Sequence, residues 1–181
     1  VSTFVAVELV EAARKGGSLE IEDLLGAVWP DAYRLVYSVL GSRQAAEDAA
    51  QEACIVVYRS VASLRSAAAF RVWLYRIVIR AAMEIRRRSA LPELRLQTEG
   101  TEDETASIDL WRALATLPEH LRTVIVLRYF EDLSSREIAS VLRMPDGTVR
   151  FHLATARQRL RPLLNENVEQ ESPAEVGTNA L

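Results

Sequence analysis

Apolar residues recur at three- and four-residue spacing along most of this chain, and that period predicts helices throughout, an all-α protein. Residues 1–18 form an N-terminal helical segment that stops at Gly16-Gly17. A longer pattern follows through Leu24, Leu25, Val28, Tyr33, Leu35, Val36, Val39 and Leu40, with Gly41 suited to its C-terminus and Pro30 expected to kink or restart it. Ser42 can cap a second helix that turns Ala45, Ala46, Ala49, Ala53, Val56 and Val57 inward and Glu47, Asp48, Gln51 and Glu52 outward. Residues 60–69 read as a loop. Beyond it Phe70, Trp73, Leu74, Ile77, Ala81 and Ile85 mark a buried stripe, yet Val72, Tyr75, Ile79 and Met83 lie opposite, among arginines. A helix apolar on two sides lies between other elements or meets a partner.

The period fades across 91–107, where Pro92, Gly100 and the acidic run Glu102-Asp103-Glu104 predict a linker. It resumes in a second domain, 108–165. Leu117-Pro118-Glu119 opens a helix through Leu121, Val124, Ile125 and Leu127 to Phe130, and Asp132-Leu133 breaks it. Ser134-Ser135-Arg136-Glu137 is a capping box, and Ile138, Ala139, Val141 and Leu142 give the helix it starts a buried face. Arg143 to Gly147 holds too many breakers to continue that helix, so a third begins between Asp146 and Thr148. In it Val149, Leu153, Ala156, Leu160 and Leu164 share one stripe, while Phe151, Ala154, Thr155 and Gln158 lie opposite, flanked by Arg150, Arg157, Arg161, His152 and Arg159. Capped helix, turn and arginine-bearing helix make a helix-turn-helix, with short side chains suited to base edges and guanidinium groups to phosphates. Residues 166–181 are polar and are expected to be a disordered tail.

Composition changes this picture little. The 181 residues are 49% hydrophobic, enough for two cores, and a net charge of −3 argues weakly against binding nucleic acid by bulk charge. Distribution matters more, because basic residues crowd 65–95 and 150–161 while acids crowd 99–109 and 166–175. Val1 to Val10 lacks the basic start of a secretory signal, and no apolar run approaches the roughly 20 residues of a membrane span, so a cytoplasmic protein without membrane insertion is expected. Cys54 is the single cysteine, and His120 and His152 the only histidines, so neither a metal set nor a cofactor is expected.

Paired carboxylates suit general acid–base work, but Glu47, Asp48, Gln51 and Glu52 have no histidine, nucleophile or metal ligand near them in sequence. They read as a surface for a protein partner or as a solvated face. Aromatics among arginines from Phe70 to Arg88 suit stacking on unpaired bases, although Trp73 at helical spacing equally suits core packing. An enzyme acting on DNA would need a catalytic constellation that these positions do not assemble. A stand-alone helix-turn-helix repressor or activator, with the first domain for dimerisation or effector binding, remains an alternative.

Ala46-Glu47-Asp48-Ala49-Ala50-Gln51-Glu52, Phe70-Arg71-Val72-Trp73-Leu74-Tyr75-Arg76-Ile77, Val126-Leu127-Arg128-Tyr129-Phe130 and Gly147-Thr148-Val149-Arg150 stand in an order and spacing that resemble the extracytoplasmic-function (ECF) sigma factors of the sigma-70 family. The resemblance covers about Leu24 to Leu164 and implies a region-two-like helical bundle (19–90) and a region-four-like helix-turn-helix (108–165), joined by a short acidic linker. It implies that Glu47, Asp48, Gln51 and Glu52 bind core RNA polymerase, and that Arg65, Phe70, Arg71, Trp73, Tyr75, Arg76 and Arg80 capture and melt the minus-ten element. A flipped base would enter a pocket made by the loop before the melting helix. Thr148, Arg150, Phe151, His152, Thr155 and Arg157 would read the minus-thirty-five element of promoter DNA, and an anti-sigma factor is an implied further partner. Arg143 takes a turn position where the family often has glycine, so it is expected to be left-handed at a cost of about 1 kcal/mol. Phe151, His152 and Ala154 stand where the family commonly has small or basic residues, and Ile79 and Arg80 where it has arginine and asparagine, so neither promoter sequence carries over.

Overall fold

The computed structural model describes residues 5–89 and 105–170, which form eight α-helices and two short 3-10 turns, with no strand among the described residues. Helix α1 (Val7–Arg14) is followed by α2 (Ser18–Leu40), α3 (Arg43–Ser60), turns at Val61–Ser63 and Ala67–Ala69, and α4 (Phe70–Ser89). The second domain holds α5 (Thr105–Ala115), α6 (Glu119–Tyr129), α7 (Ser135–Leu142) and α8 (Asp146–Gln170).

Local signals set most of these boundaries. Gly41 ends α2 in the left-handed region (φ 67°), which costs glycine nothing, and its N–H returns to the Tyr37 carbonyl at 2.7 Å. Ser42 caps α3 by accepting from the Ala45 N–H, and Ser134 and Glu137 complete the expected capping box of α7. Pro30 neither ends nor restarts α2, which runs through it as one helix. Arg143 sits at φ 53°, ψ 45°, the left-handed conformation expected of it. Helix α8 continues to Gln170, five residues past the expected tail boundary, and α5 begins at Thr105, inside the expected linker. The linker stretch 91–104 and the tail from 171 lie outside the described residues.

The first module packs α3 against α2 and α4 through Ala45, Ala46, Ala49, Ala50, Ala53 and Val57, small side chains that let the helices approach closely. Val56, expected inward, is 44% exposed, because Ala50, Ala53 and Val57 centre the stripe and leave Val56 at its edge. The buried face of α4 differs too. Val78 and Ala82 are fully buried, whereas Trp73 and Ile77, expected in the core stripe, are half-buried. The second apolar side of α4 explains the rotation: α7 packs on it and buries Tyr75 and Ile79.

The two modules are therefore in contact. Helix α6 is buried along Leu121–Leu127, and its Arg122 guanidinium reaches into the first module. Arg122 Nε and Nη2 donate to the Val39 carbonyl at 3.1 and 2.8 Å, and Nη1 donates to the Leu117 carbonyl at 3.1 Å. Val39 lies in the last turn of α2, where carbonyls lack helical partners and the helix dipole favours a cation. Burial pushes the Arg122 pKa down, and Glu119 opposes that shift. Arg86 of α4 pairs with Glu119 beside it.

Replacing Arg122 with Met keeps much of the stem volume but strips the Val39 and Leu117 carbonyls of their donors. Relief of the guanidinium's desolvation offsets part of that loss, so a net destabilisation of about 2 kcal/mol is expected in urea unfolding. Arg122→Lys should recover only part of it, since one ammonium cannot reproduce the three-donor fork.

Candidate functional site: an acidic face and two nucleic-acid interfaces

Asp48, Gln51, Ile55 and Tyr58 follow one another at spacings of three and four residues along α3 and are all exposed, with Glu47 beside them. Ile55 is 42% and Tyr58 60% exposed, so the acidic patch carries an apolar extension. Ile55 and Tyr58 were not among the expected site residues, although the same spacing that places Asp48 and Gln51 reaches them. Glu52 is set apart. It turns toward α4 and pairs with Arg88 at 2.8 Å, within a cluster in which Arg87 and Arg88 hold the Glu84 carboxyl at a pKa of about 2.

The expected melting residues divide into two sets. Arg65, on the 60–69 segment, and Arg80 are exposed. Phe70 and Tyr75 are buried, and Trp73 is half-buried with its ring centroid 5.7 Å from that of Phe70. Arg71 donates to the Glu131 carbonyl and the Tyr75 hydroxyl to the Glu131 carboxylate, while Arg76 Nη2 donates to Ser140 Oγ at 2.8 Å. All three acceptors belong to the helix-turn-helix module, so in this arrangement it lies across the helix that would face DNA. Beside the contact a cleft of about 880 Å³ opens between the modules, with Val56, Trp73, Ile77 and Met83 on one wall and Val141 and Met144 on the other.

In the helix-turn-helix module, Val149, Leu153, Ala156 and Leu160 are buried as the stripe predicts; Leu164 lies outside the residues whose side chains are described. Gly147, Arg150, Phe151, Ala154, Arg157 and Gln158 are exposed, and Phe151 at 67% is conspicuously bare for an aromatic residue. Thr148 and Thr155 are half-buried at the margin. Arg150 pairs with Asp146 one turn earlier at 3.1 Å, and Arg157 Nε donates to the Leu153 carbonyl at 3.2 Å. Both arginines remain exposed. His152 turns away from the outward face. Its ring meets His120 of α6 edge-on at 5.1 Å, and its Nδ1 is buried without a hydrogen-bond partner.

A helical module with an acidic, partly apolar face and an arginine-lined helix is thus followed by a helix-turn-helix. The Sigma-70 region 2 model matches residues 24–91, and the Sigma-70, region 4 model matches 107–160. Relatives include the ECF RNA polymerase sigma factor SigW of Bacillus subtilis, 32% identical over 87% of this chain and 95% of SigW. The RNA polymerase sigma-H factor of Pseudomonas aeruginosa is 32% identical over 88% of this chain and 95% of its own. Among solved structures, CnrH in complex with the cytosolic domain of CnrY superposes with a TM-score of 0.67 at 22% identity, over 89% of this chain and 97% of that one. The sigma factor RpoE of Bartonella quintana, in complex with the anti-sigma factor NepR, gives 0.63 at 21% identity, over 80% and 96%. The chain belongs to the ECF sigma factors of the sigma-70 family: it binds core RNA polymerase and directs promoter recognition and transcription initiation.

The His152–His120 contact gives the helix-turn-helix module a pH dependence. Burial first, and the neighbouring His120 second, push the His152 pKa below its usual value near 6.5. The folded state then binds fewer protons than the unfolded one as pH falls through that value, so stability is full above it and declines on acidification. Thermal unfolding between about pH 7.5 and about pH 5.5 should show this decline in the wild type and a flatter profile in His152→Gln.

Proposed function

We propose that the face of Glu47, Asp48 and Gln51, extended by Ile55 and Tyr58, is the docking surface for core RNA polymerase. The carrying observation is that these five side chains are exposed together on one side of α3 while the helix behind them is fully packed. Carboxylates suit a basic partner helix, and exposed apolar groups among them supply contact area that a plain solvated face does not need. The segment 60–69 and the exposed edge of α4 with Arg65 and Arg80 take the opened minus-ten strand. The outward face of α8, with Arg150, Phe151, Ala154, Arg157 and Gln158, reads the minus-thirty-five duplex. There Phe151 suits a thymine methyl, and arginines released from Asp146 and Leu153 hold phosphates. On this reading the protein is a non-enzymatic cytoplasmic factor. His152, turned into α6, supports the module and does not touch bases.

The contact between modules adds a step. Arg71, Tyr75 and Arg76 cannot hold Glu131 and Ser140 and an opened DNA strand at once, so promoter melting requires the helix-turn-helix module to leave α4. An anti-sigma factor is a further partner on this reading: the structural neighbour from Bartonella quintana is in complex with one, and the cleft between the modules offers such a protein apolar groups bordered by Glu52, Arg80, Glu84 and Arg143.

The function is tested by adding the purified chain to sigma-free core polymerase and probing promoter opening with permanganate. Complex formation with opening is expected, and Glu47→Lys with Asp48→Lys should weaken the complex at least about tenfold while leaving the fold intact. Duplex binding by the chain alone, with no response to polymerase, would favour the repressor alternative. Glu131→Ala removes the carboxylate that holds Tyr75. It should raise the affinity of the free protein for single-stranded minus-ten DNA about fivefold, as expected when a competing hydrogen bond is lost. Filter binding measures that change.

A further inference from the structure

The N-terminal helix precedes the stretch matched by the region 2 model, which begins at residue 24, and α1 carries none of the residues of the proposed interfaces. Its buried residues Val10 and Ala13 anchor it against the bundle. Its polar end is occupied by the 60–69 segment. Arg14 Nε donates to the Leu64 carbonyl at 2.7 Å, and Arg14 Nη2 donates to the next carbonyl, of Arg65, at 3.1 Å. The third nitrogen, Nη1, pairs with Glu11 at 2.7 Å, and the other oxygen of Glu11 accepts from the Ala67 N–H at 3.4 Å. One ion pair thus grips both ends of the turn from Leu64 to Ala67.

Local bonds hold the two ends of that turn, the Leu64 N–H donating to the Val61 carbonyl and Ser66 capping the second 3-10 turn, and Arg14 and Glu11 tie them to α1. Leu64 and Ala67 are buried and peg it to the module, while Ala62, Ser63, Arg65, Ser66, Ala68 and Ala69 face outward. The main chain between the two pegs runs outside regular helix, and its carbonyls at Leu64 and Arg65 point to Arg14. A planar guanidinium that donates to two successive carbonyls fixes the peptide plane between them, and with it the direction in which Arg65 and Ser66 leave the backbone. Glu11, held by the same group, aims the fork.

We propose that Arg14 and Glu11 are positioning residues for base capture: they hold the Leu64–Ala67 turn in the shape that selects the flipped minus-ten base. The proposal rests on the reading that this segment captures the opened strand. Neither residue touches DNA, and α1 acts through the main chain of the loop. A rigid loop discriminates between bases, whereas a loop free to rearrange accepts several with smaller differences in affinity.

The test uses holoenzyme assembled from core polymerase and the full chain, with fluorescein-labelled single-stranded oligonucleotides that carry each of the four bases at the captured position. Anisotropy gives the preference of the wild type and of Arg14→Ala, Glu11→Gln and Arg14→Lys. Arg14→Ala should lower the ratio between the best and worst base about tenfold, within the range one well-made base contact contributes. Core affinity and minus-thirty-five duplex binding should be unchanged, which a general loss of fold would not allow. Arg14→Lys, which retains the pairing with Glu11 but reaches one carbonyl at a time, should fall between. Glu11→Gln leaves every packing contact of Arg14 in place, so it carries the test should Arg14→Ala unfold. Undiminished discrimination in both Arg14→Ala and Glu11→Gln would overturn the clamp. Arg65→Ala separates the two ideas: if it lowers discrimination and the α1 variants do not, the clamp alone is wrong. If the wild type itself shows no base preference, the capture reading falls and the clamp with it.

Discussion

A buried guanidinium joins the two halves of this protein. Arg122 of α6 directs its donors at the carbonyl of Val39, in the last turn of α2, and at that of Leu117. Burying a cation is costly unless its nitrogens find acceptors and the local field is negative; the C-terminal end of α2 supplies the field and two of the bonds, and Leu117 supplies the third. Gly41 leaves that end open to approach by turning the chain away at once. With α6 fixed there, α7 falls against α4, and Glu131 comes within reach of Arg71 and Tyr75.

The same groups therefore have two uses. A tyrosine hydroxyl and arginines that suit a nucleic-acid strand also suit the carbonyl, carboxylate and hydroxyl groups of Glu131 and Ser140. While the modules are in contact, the acidic face of α3 stays exposed and the side of α4 that carries Arg71, Tyr75 and Arg76 is covered. If the acidic face docks polymerase as proposed, such a molecule meets polymerase before it meets single-stranded DNA. The contact between α4 and α7 combines buried packing at Ile79 with polar bonds, of which the exposed one from Arg76 to Ser140 is the most open to competition.

Much of the architecture was legible because its signals are local. The alanine stripe of α3, the capping box at Ser134 and Glu137, the C-terminal glycine at 41 and the left-handed Arg143 depend on residues within a few positions of each other. The outward face of α8 followed from the same period. Errors arose where a helix has more than one neighbour. Trp73, Ile77 and Val56 sit at edges of stripes whose centres are set by α2, α4 and α7 together, and a single helical wheel cannot weigh three partners. Pro30 did not interrupt α2, since packing along a long helix outweighs one lost backbone hydrogen bond. His152 was read as part of a basic face because nothing near it in sequence announces His120, 32 positions earlier and in ring contact with it.

By itself the sequence determined the all-helical class, the helix-turn-helix layout, the acidic face of α3 and the arginine-bearing face of α8, because helical period, caps and charge spacing are properties of neighbouring residues. Tertiary structure alone decided that α4 is covered on both sides, that Arg122 closes the end of α2, and that α1 grips the turn from Leu64 to Ala67. Each of these joins groups more than 40 positions apart, and such contacts are fixed by which surfaces can be buried together and by which backbone groups are left without a partner.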